Sequence, residues 1–176
     1  MKPRPIVVDS SVAIALILDE PEAPAVERAL GSWTREARSL VVPSQFWLEV
    51  VNRLGRDRGS SGQRMLAAVH RLDTLGLETL EPGRPLLLHA IDRMERHRLT
   101  AYEAMYLVLA ESLDADLATF DRALAAAAGP RAMAFDDGHG LHEAPAVYQH
   151  DVTWPSYKGA SAYLAKLRAE ALVERA

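Results

Sequence analysis

The order of apolar and amphipathic segments is the feature that most restricts the fold of this chain. Short apolar runs alternate, from residue 6 to about residue 135, with longer stretches whose apolar positions recur at helical spacing. Strands separated by helices favour parallel pairing, because the chain must return across the sheet before the next strand begins. The pattern therefore predicts an α/β fold with a mostly parallel sheet and helices on both faces. Strands are expected at Ile6–Val8, Leu40–Val42, Leu77–Leu80, Leu117–Phe120 and Ala132–Phe135.

The expected helices are bounded by proline, glycine and polar residues that interrupt helical spacing. Pro21 and Pro24 separate the first two helices, and the segment 59–62 forms a turn between two later ones. Pro82 and Gly83 precede a further helix. Helices are expected over residues 10–18, 25–33, 43–58, 63–75, 85–96, 101–113 and 122–128.

Four acidic residues occupy positions where such a fold would gather ligands. Asp9 and Asp121 follow two predicted strands, and ligands of parallel sheets bind beyond the carboxyl ends of the strands. Glu49 and Glu103 lie in predicted helices. Carboxylates in one pocket repel each other unless divalent cations neutralise them, and Mg²⁺ and Mn²⁺ prefer such oxygen ligands. The four residues therefore indicate metal-dependent phosphodiester chemistry.

Each of these residues also has a structural interpretation. Asp9 and Asp121 each precede a predicted helix and would serve as its N-cap. Glu49 would be a solvated residue of an amphipathic helix, although its sequence neighbours are mostly apolar. Thr100 and Glu103 have the spacing of a capping box. The residues taken singly leave both interpretations open.

Composition limits the binding modes and the cellular setting. The chain has 176 residues and a net charge of −4, which excludes a general electrostatic attraction to nucleic acid. It contains no cysteine, which fits a reducing compartment. It also contains neither a signal-peptide pattern nor an apolar run long enough to span a membrane. We therefore expect a cytoplasmic protein without a membrane partner.

Four motifs in series resemble those of the PIN-domain ribonucleases, and within them the VapC-type toxins of bacterial toxin–antitoxin pairs. The resemblance covers about residues 5–135. One motif alone has little specificity, whereas four in the family's order and spacing are fairly specific. The motifs are VDSSV at 8–12, LEVVNRL at 48–54, LTAYEAMYLVLA at 99–110 and LATFDRAL at 117–124.

This resemblance implies a PIN-like, three-layer α/β/α sandwich with about five strands over residues 1–147. Residues 148–176 would be a C-terminal extension with an amphipathic helix. It further implies a Mg²⁺- or Mn²⁺-dependent endoribonuclease that acts as the toxin of a type II toxin–antitoxin pair. Its partners would be an RNA substrate, a cognate antitoxin and a second copy of the chain in a homodimer. The implied catalytic residues are Asp9, Glu49, Glu103 and Asp121, of which Asp9, Glu103 and Asp121 would bind metal.

The hydroxyl groups of Ser10 and Thr119 lie beside two of these positions and would support the acidic cluster. Glu103 departs from the family pattern, which usually has aspartate at this position. Glutamate is one methylene longer, whereas metal sites tolerate positional errors of only about 0.5 Å. Either the pocket has therefore adjusted to glutamate, or the activity is reduced or lost. Two alternatives stay open: a PIN-type RNA-processing nuclease outside toxin–antitoxin biology, and a non-catalytic PIN-like binding module.

Overall fold

Four short parallel strands form the centre of the fold. The sheet order is β3-β2-β1-β4, and every pairing is parallel. All three residues of β1 are buried, as expected for a strand covered on both faces. In the computed structural model, which describes residues 3–56 and 61–135, the strands are β1 (Ile6–Val8), β2 (Leu40–Pro43), β3 (Glu78–Leu80) and β4 (Asp116–Ala118).

Helices cover both faces of this sheet, so the predicted three-layer α/β/α sandwich is confirmed. Helix α6 packs on β1, β2 and β4 and contacts α5 and α7, whereas α1 contacts α2, α3 and α4. The helices of the described residues are α1 (Ser10–Ile17), α2 (Ala23–Arg35), α3 (Gln45–Arg56), α4 (Gly62–Asp73), α5 (Arg84–His97), α6 (Ala101–Ser112) and α7 (Arg122–Ala128).

Helix α6 contains the longest continuous buried run among the helices of the described residues. Every residue from Ala104 to Ala110 is buried, as expected for a helix that is apolar on all sides. It follows α5 closely, because Arg98 ends α5 in the left-handed conformation with φ 56° and ψ 36°. Thr100 then caps α6. This short connection fixes the first turn of α6, which carries Glu103.

The last predicted strand is reduced to a single contact. Leu117 and Ala132 form one parallel bridge, and the Met133 N–H donates to the Leu117 carbonyl oxygen at 2.8 Å. A 3-10 turn at Gly129–Arg131 stands between α7 and this bridge. Phe135 contributes its ring to an aromatic cluster, 4.5 Å from Phe120 and 6.2 Å from Trp33 between ring centroids. Apolar character at 132–135 therefore serves core packing rather than a full strand.

One arginine joins segments at the amino-terminal edge of the sheet. The Arg38 guanidinium forms an ion pair with Asp116 at the start of β4, and the two side chains are 10% and 24% exposed. The Nε–H of Arg38 also donates to the Arg4 carbonyl oxygen at 2.8 Å. This contact connects the segments that precede β1, β2 and β4.

The proposed extension at 148–176 lies outside the described residues, as do residues 136–147. The division at residue 147 therefore stays a prediction. Within 3–56 and 61–135, no helix has the length and apolar character needed to cross a membrane.

Candidate active site

Asp9 lies directly after β1 and is held by hydroxyl groups. Its Oδ2 accepts hydrogen bonds from Ser11 Oγ at 2.5 Å and from Thr119 Oγ1 at 2.8 Å. Asp9 occupies the N-cap position of α1, but its side chain makes no capping hydrogen bond. The side chain is only 6% exposed, and this burial raises the pKa of Asp9 above its ordinary value. The two hydroxyls oppose that rise, whereas the charge of Asp121 adds to it.

Glu49 extends from α3 toward Asp9 and not into solvent. Its Oε2 accepts from Ser10 Oγ at 2.7 Å and from the Tyr106 hydroxyl at 3.2 Å. Its Oε1 is buried and has no hydrogen-bond partner. Burial raises the pKa of Glu49 to about 7, and the charge of Asp9 contributes to the same rise. The interpretation of Glu49 as a solvated helix residue is therefore wrong.

Glu103 forms the capping box that its spacing with Thr100 predicted. The Thr100 N–H donates to Glu103 Oε2 at 2.7 Å, and the Glu103 N–H donates to Thr100 Oγ1 at 3.3 Å. Burial raises the pKa of Glu103, with further contributions from the charges of Asp121 and Asp9. Glu103 therefore caps α6 and lies within the electrostatic reach of two other carboxylates.

Asp121 is the N-cap of α7 and follows Thr119 by two residues. Its Oδ1 accepts from the Leu124 N–H at 2.7 Å, which confirms the predicted capping role. Its own N–H donates to Thr119 Oγ1 at 2.9 Å, and the same hydroxyl donates to Asp9. One threonine therefore connects the backbone of Asp121 with the carboxylate of Asp9.

The four carboxylates share one neighbourhood at the carboxyl edge of the sheet. The Ser10 hydroxyl lies within hydrogen-bonding distance of both Asp9 and Glu49. The negative charges of Asp9 and Asp121 contribute to the raised pKa of Glu103. Across residues 3–56 and 61–135, however, no three acidic or histidine side chains stand in position to hold a metal ion together. Two of the four carboxylates have an oxygen engaged in a helix cap.

The donor chemistry of this neighbourhood fits a hard divalent cation. Carboxylate and hydroxyl oxygens are the ligands that Mg²⁺ and Mn²⁺ prefer. Burial raises the pKa values of Asp9 and Glu49, and the negative charge of a neighbouring carboxylate adds to each rise. The unpartnered Oε1 of Glu49 is a further acceptor that an added cation or water would satisfy.

Comparison with known families decides what kind of domain holds this pocket. A family model described as PIN domain matches residues 6–130. The chain belongs to the PIN domain family. Membership supports a nuclease. A search of curated proteins finds no match.

Three solved structures are similar in fold to this chain. PAE2754 from Pyrobaculum aerophilum is 25% identical with a TM-score of 0.55, covering 74% of this chain and 88% of that one. A toxin–antitoxin complex from Klebsiella pneumoniae is 14% identical with a TM-score of 0.58, covering 79% and 99%. The sarcin–ricin loop cleaving toxin VapC20 from Mycobacterium tuberculosis is 18% identical with a TM-score of 0.53, covering 79% and 98%.

Two residues of this PIN domain pocket were not singled out from the sequence. Tyr106 donates to Glu49, and burial raises the pKa of the Tyr106 phenol well above its ordinary value, which keeps it a donor. Ser11 donates to Asp9 while its Oγ accepts from the Phe120 N–H at 3.0 Å. A tyrosine in the middle of an apolar helix is the available signal for Tyr106, because a buried hydroxyl group needs a polar partner.

Proposed function

We propose that this PIN domain is a Mg²⁺- or Mn²⁺-dependent endoribonuclease and the toxin of a type II toxin–antitoxin pair. The observation that carries the proposal is the buried pairing of Asp9 with Glu49, in which Glu49 Oε1 has no partner. A carboxylate pair of this kind is costly unless a cation or a bound water uses it. Family membership supplies the reaction class.

The residues would divide the work as follows. Asp9, Glu103 and Asp121 would hold the divalent ion, and Glu49 would orient the attacking water through Oε1. When bound, the ion supplies charge neutralisation and Lewis acidity toward the phosphodiester. Ser10 and Tyr106 keep Glu49 Oε2 fixed, so that its other oxygen keeps one direction. Glu103 would exchange its hydrogen bond with Thr100 for the ion.

Cleavage of defined single-stranded RNA pools, with Mg²⁺ or Mn²⁺ and then with a chelator, tests the catalytic proposal. Asp9→Asn should abolish cleavage, and the chelator should do the same to the wild type. Addition of either metal should raise the melting temperature of the wild type more than that of Asp9→Asn. Cleavage that persists at full rate in Asp9→Asn would refute the assigned roles.

Glu103→Asp separates an adjusted pocket from a decayed one. Aspartate shortens the side chain by one methylene and weakens its hydrogen bond to the Thr100 N–H. If the pocket is adjusted to glutamate, the variant should cleave more slowly than the wild type. A decayed site gives neither cleavage nor a metal-induced shift in melting temperature in either protein. That outcome would favour a non-catalytic binding module, in keeping with the capped state of Glu103.

The toxin assignment draws on the kind of proteins that share the fold. One structural neighbour is part of a toxin–antitoxin complex and another is a sarcin–ricin loop cleaving toxin. At 14% and 18% identity they bear on the fold alone, so the antitoxin partner, the homodimer and the cytoplasmic location belong to this proposal. Induced expression should arrest bacterial growth, and Asp9→Asn should not. An RNA-processing nuclease outside toxin–antitoxin biology would cleave RNA without that arrest.

The homodimer is tested separately by light scattering on the purified full chain. A mass of twice the 19.3 kDa protomer is expected. A monomer at every protein concentration would remove the dimer from the proposal and leave the nuclease assignment in place.

A further inference from the structure

Arg98 precedes α6, and Tyr102 lies in the first turn of α6, next in sequence to Glu103 of the acidic pocket. Both side chains are exposed, and Tyr102 is 55% exposed. The backbone here is fixed, because Gln45 Nε2 donates to the Tyr102 carbonyl oxygen at 3.1 Å and Thr100 caps the helix. A charged group and an aromatic ring therefore lie on a capped segment that also carries Glu103.

Arg98 is unusual among the arginines of the described residues. Most of them form ion pairs or hydrogen bonds, as Arg38 and Arg93 do. Arg98 has no such partner within residues 3–56 and 61–135, and Arg35 at the end of α2 is the other arginine in this condition. The guanidinium of Arg98 is therefore available to a ligand.

The backbone of Arg98 has a conformation that glycine adopts more readily. Its φ of 56° places it in the left-handed region, where helix ends usually carry glycine because a side chain is strained there. Arginine at this position costs stability that glycine would not cost. Asp19, Ala37 and Asp114 share the left-handed conformation, so the use of the Arg98 side chain is inferred from its exposure and its unpartnered guanidinium and not from its backbone.

Tyr102 supplies the complementary chemistry. An exposed aromatic face accepts a nucleic-acid base by stacking, and a base is free to stack in this way only when it is unpaired. Arginine pairs well with phosphate. The net charge of −4 gives the whole chain no attraction to RNA, so binding must come from local groups of this kind.

We propose that Arg98 and Tyr102 bind the RNA strand beside the acidic pocket, with a phosphate on Arg98 and an unpaired base on Tyr102. The inference rests on the proposed nuclease function and adds to it two residues that position the RNA substrate. These two residues position the strand and take no part in bond cleavage.

Binding is measured by fluorescence anisotropy with a short labelled single-stranded RNA of mixed sequence and with Mg²⁺ present. All proteins carry Asp9→Asn so that the RNA stays intact. Tyr102→Ala should weaken binding at least about 5-fold, whereas Tyr102→Phe keeps the ring and should stay within about 2-fold. Arg98→Ala should lower the slope of log affinity against log salt by about 0.7. Arg35→Ala is the matched control, because α2 ends at the opposite edge of the sheet.

Arg98→Gly distinguishes a binding role from a structural one. Glycine relieves the left-handed strain and should raise the melting temperature by about 2–4 °C. The same variant should bind RNA as weakly as Arg98→Ala. In proteins that retain Asp9, both Arg98 variants should raise KM for RNA cleavage and leave kcat unchanged.

The possible failures are distinguishable. If the wild type neither binds nor cleaves RNA, the nuclease function and this inference are both overturned. If Asp9-dependent cleavage stands while the Arg98 and Tyr102 variants bind as Arg35→Ala does, only this inference is overturned. If Tyr102→Ala weakens binding to a duplex of the same sequence equally, stacking on an unpaired base is refuted.

Discussion

The buried carboxylate of Glu49 makes the stability of the metal-free protein depend on pH. Its pKa is raised from 4.5 to about 7 by burial and by the charge of Asp9. The folded protein therefore holds this proton more tightly than the unfolded chain does. The Glu49 contribution to the free energy of unfolding is most favourable below pH 4.5, falls between 4.5 and about 7, and is level above that range.

The substitution Glu49→Gln removes the pH-dependent contribution of Glu49 to the unfolding free energy, so it allows the size of that contribution to be measured. The difference between the pKa of Glu49 in the folded protein, about 7, and its ordinary value of 4.5 corresponds to about 3 kcal/mol, since one pKa unit is worth about 1.36 kcal/mol. The glutamine oxygen can still accept from Ser10 and Tyr106, but its amide group would replace the unpartnered Oε1. That buried donor costs about 1–3 kcal/mol, so the variant should gain at most about 2 kcal/mol above neutral pH.

The pH dependence of stability is measured by urea unfolding in the presence of a chelator, at pH values from 4.5 to above 7, with tryptophan fluorescence as the signal. The difference in unfolding free energy between Glu49→Gln and the wild type should change by about 3 kcal/mol over this range, in favour of the variant. Glu95→Gln, at an exposed position, controls for the loss of one negative charge. A difference that stays constant over the whole range would refute the argument from burial.

Three further substitutions test the packing and the caps. Phe46→Ala, at a side chain that is 0% exposed, should lower the unfolding free energy by about 3–5 kcal/mol in urea titrations, and a loss under about 1 kcal/mol would contradict its place in the core. Thr100→Ala should cost about 1 kcal/mol by loss of its cap to Glu103, measured by thermal melting; an unchanged melting temperature would show that the cap contributes nothing. Arg38→Ala leaves Asp116 without its ion pair and should lower the unfolding free energy by about 1–3 kcal/mol. The loss should be smaller in high salt, and a loss that is independent of salt would argue against the ion pair.

The sheet and most helices are predictable because strong local patterns agree with the packing. Residues 6–8 form a β-branched apolar run that is buried on both faces, and the apolar helix at 101–112 packs across three strands. The strand expected at Ala132–Phe135 shows the limit of such patterns. A short apolar run indicates burial, but it does not distinguish a ladder of hydrogen bonds from aromatic packing such as that of Phe135.

The candidate site was predictable in its residue positions but not in its side-chain orientations. Asp9 and Asp121 follow predicted strands, and the capping box of Thr100 and Glu103 can be predicted from the spacing of these two residues in the sequence. The direction of Glu49 depends on Ser10, 39 positions away, and on Tyr106, 57 positions away. Such contacts depend on how helices pack against each other, and no local pattern encodes them.

The hydroxyl groups around Asp9 determine how many of its oxygens are open to a ligand. Ser11 and Thr119 each accept a hydrogen bond from a backbone N–H of the loop after β4, so their single protons point toward Asp9 Oδ2. That oxygen is doubly occupied, and Oδ1 has only a long contact of 3.5 Å with Ser10. Asp9 is therefore suited to monodentate binding. Its Oδ1 can bind a cation without disturbing the loop after β4, whereas bidentate binding through Oδ2 would require that loop to open.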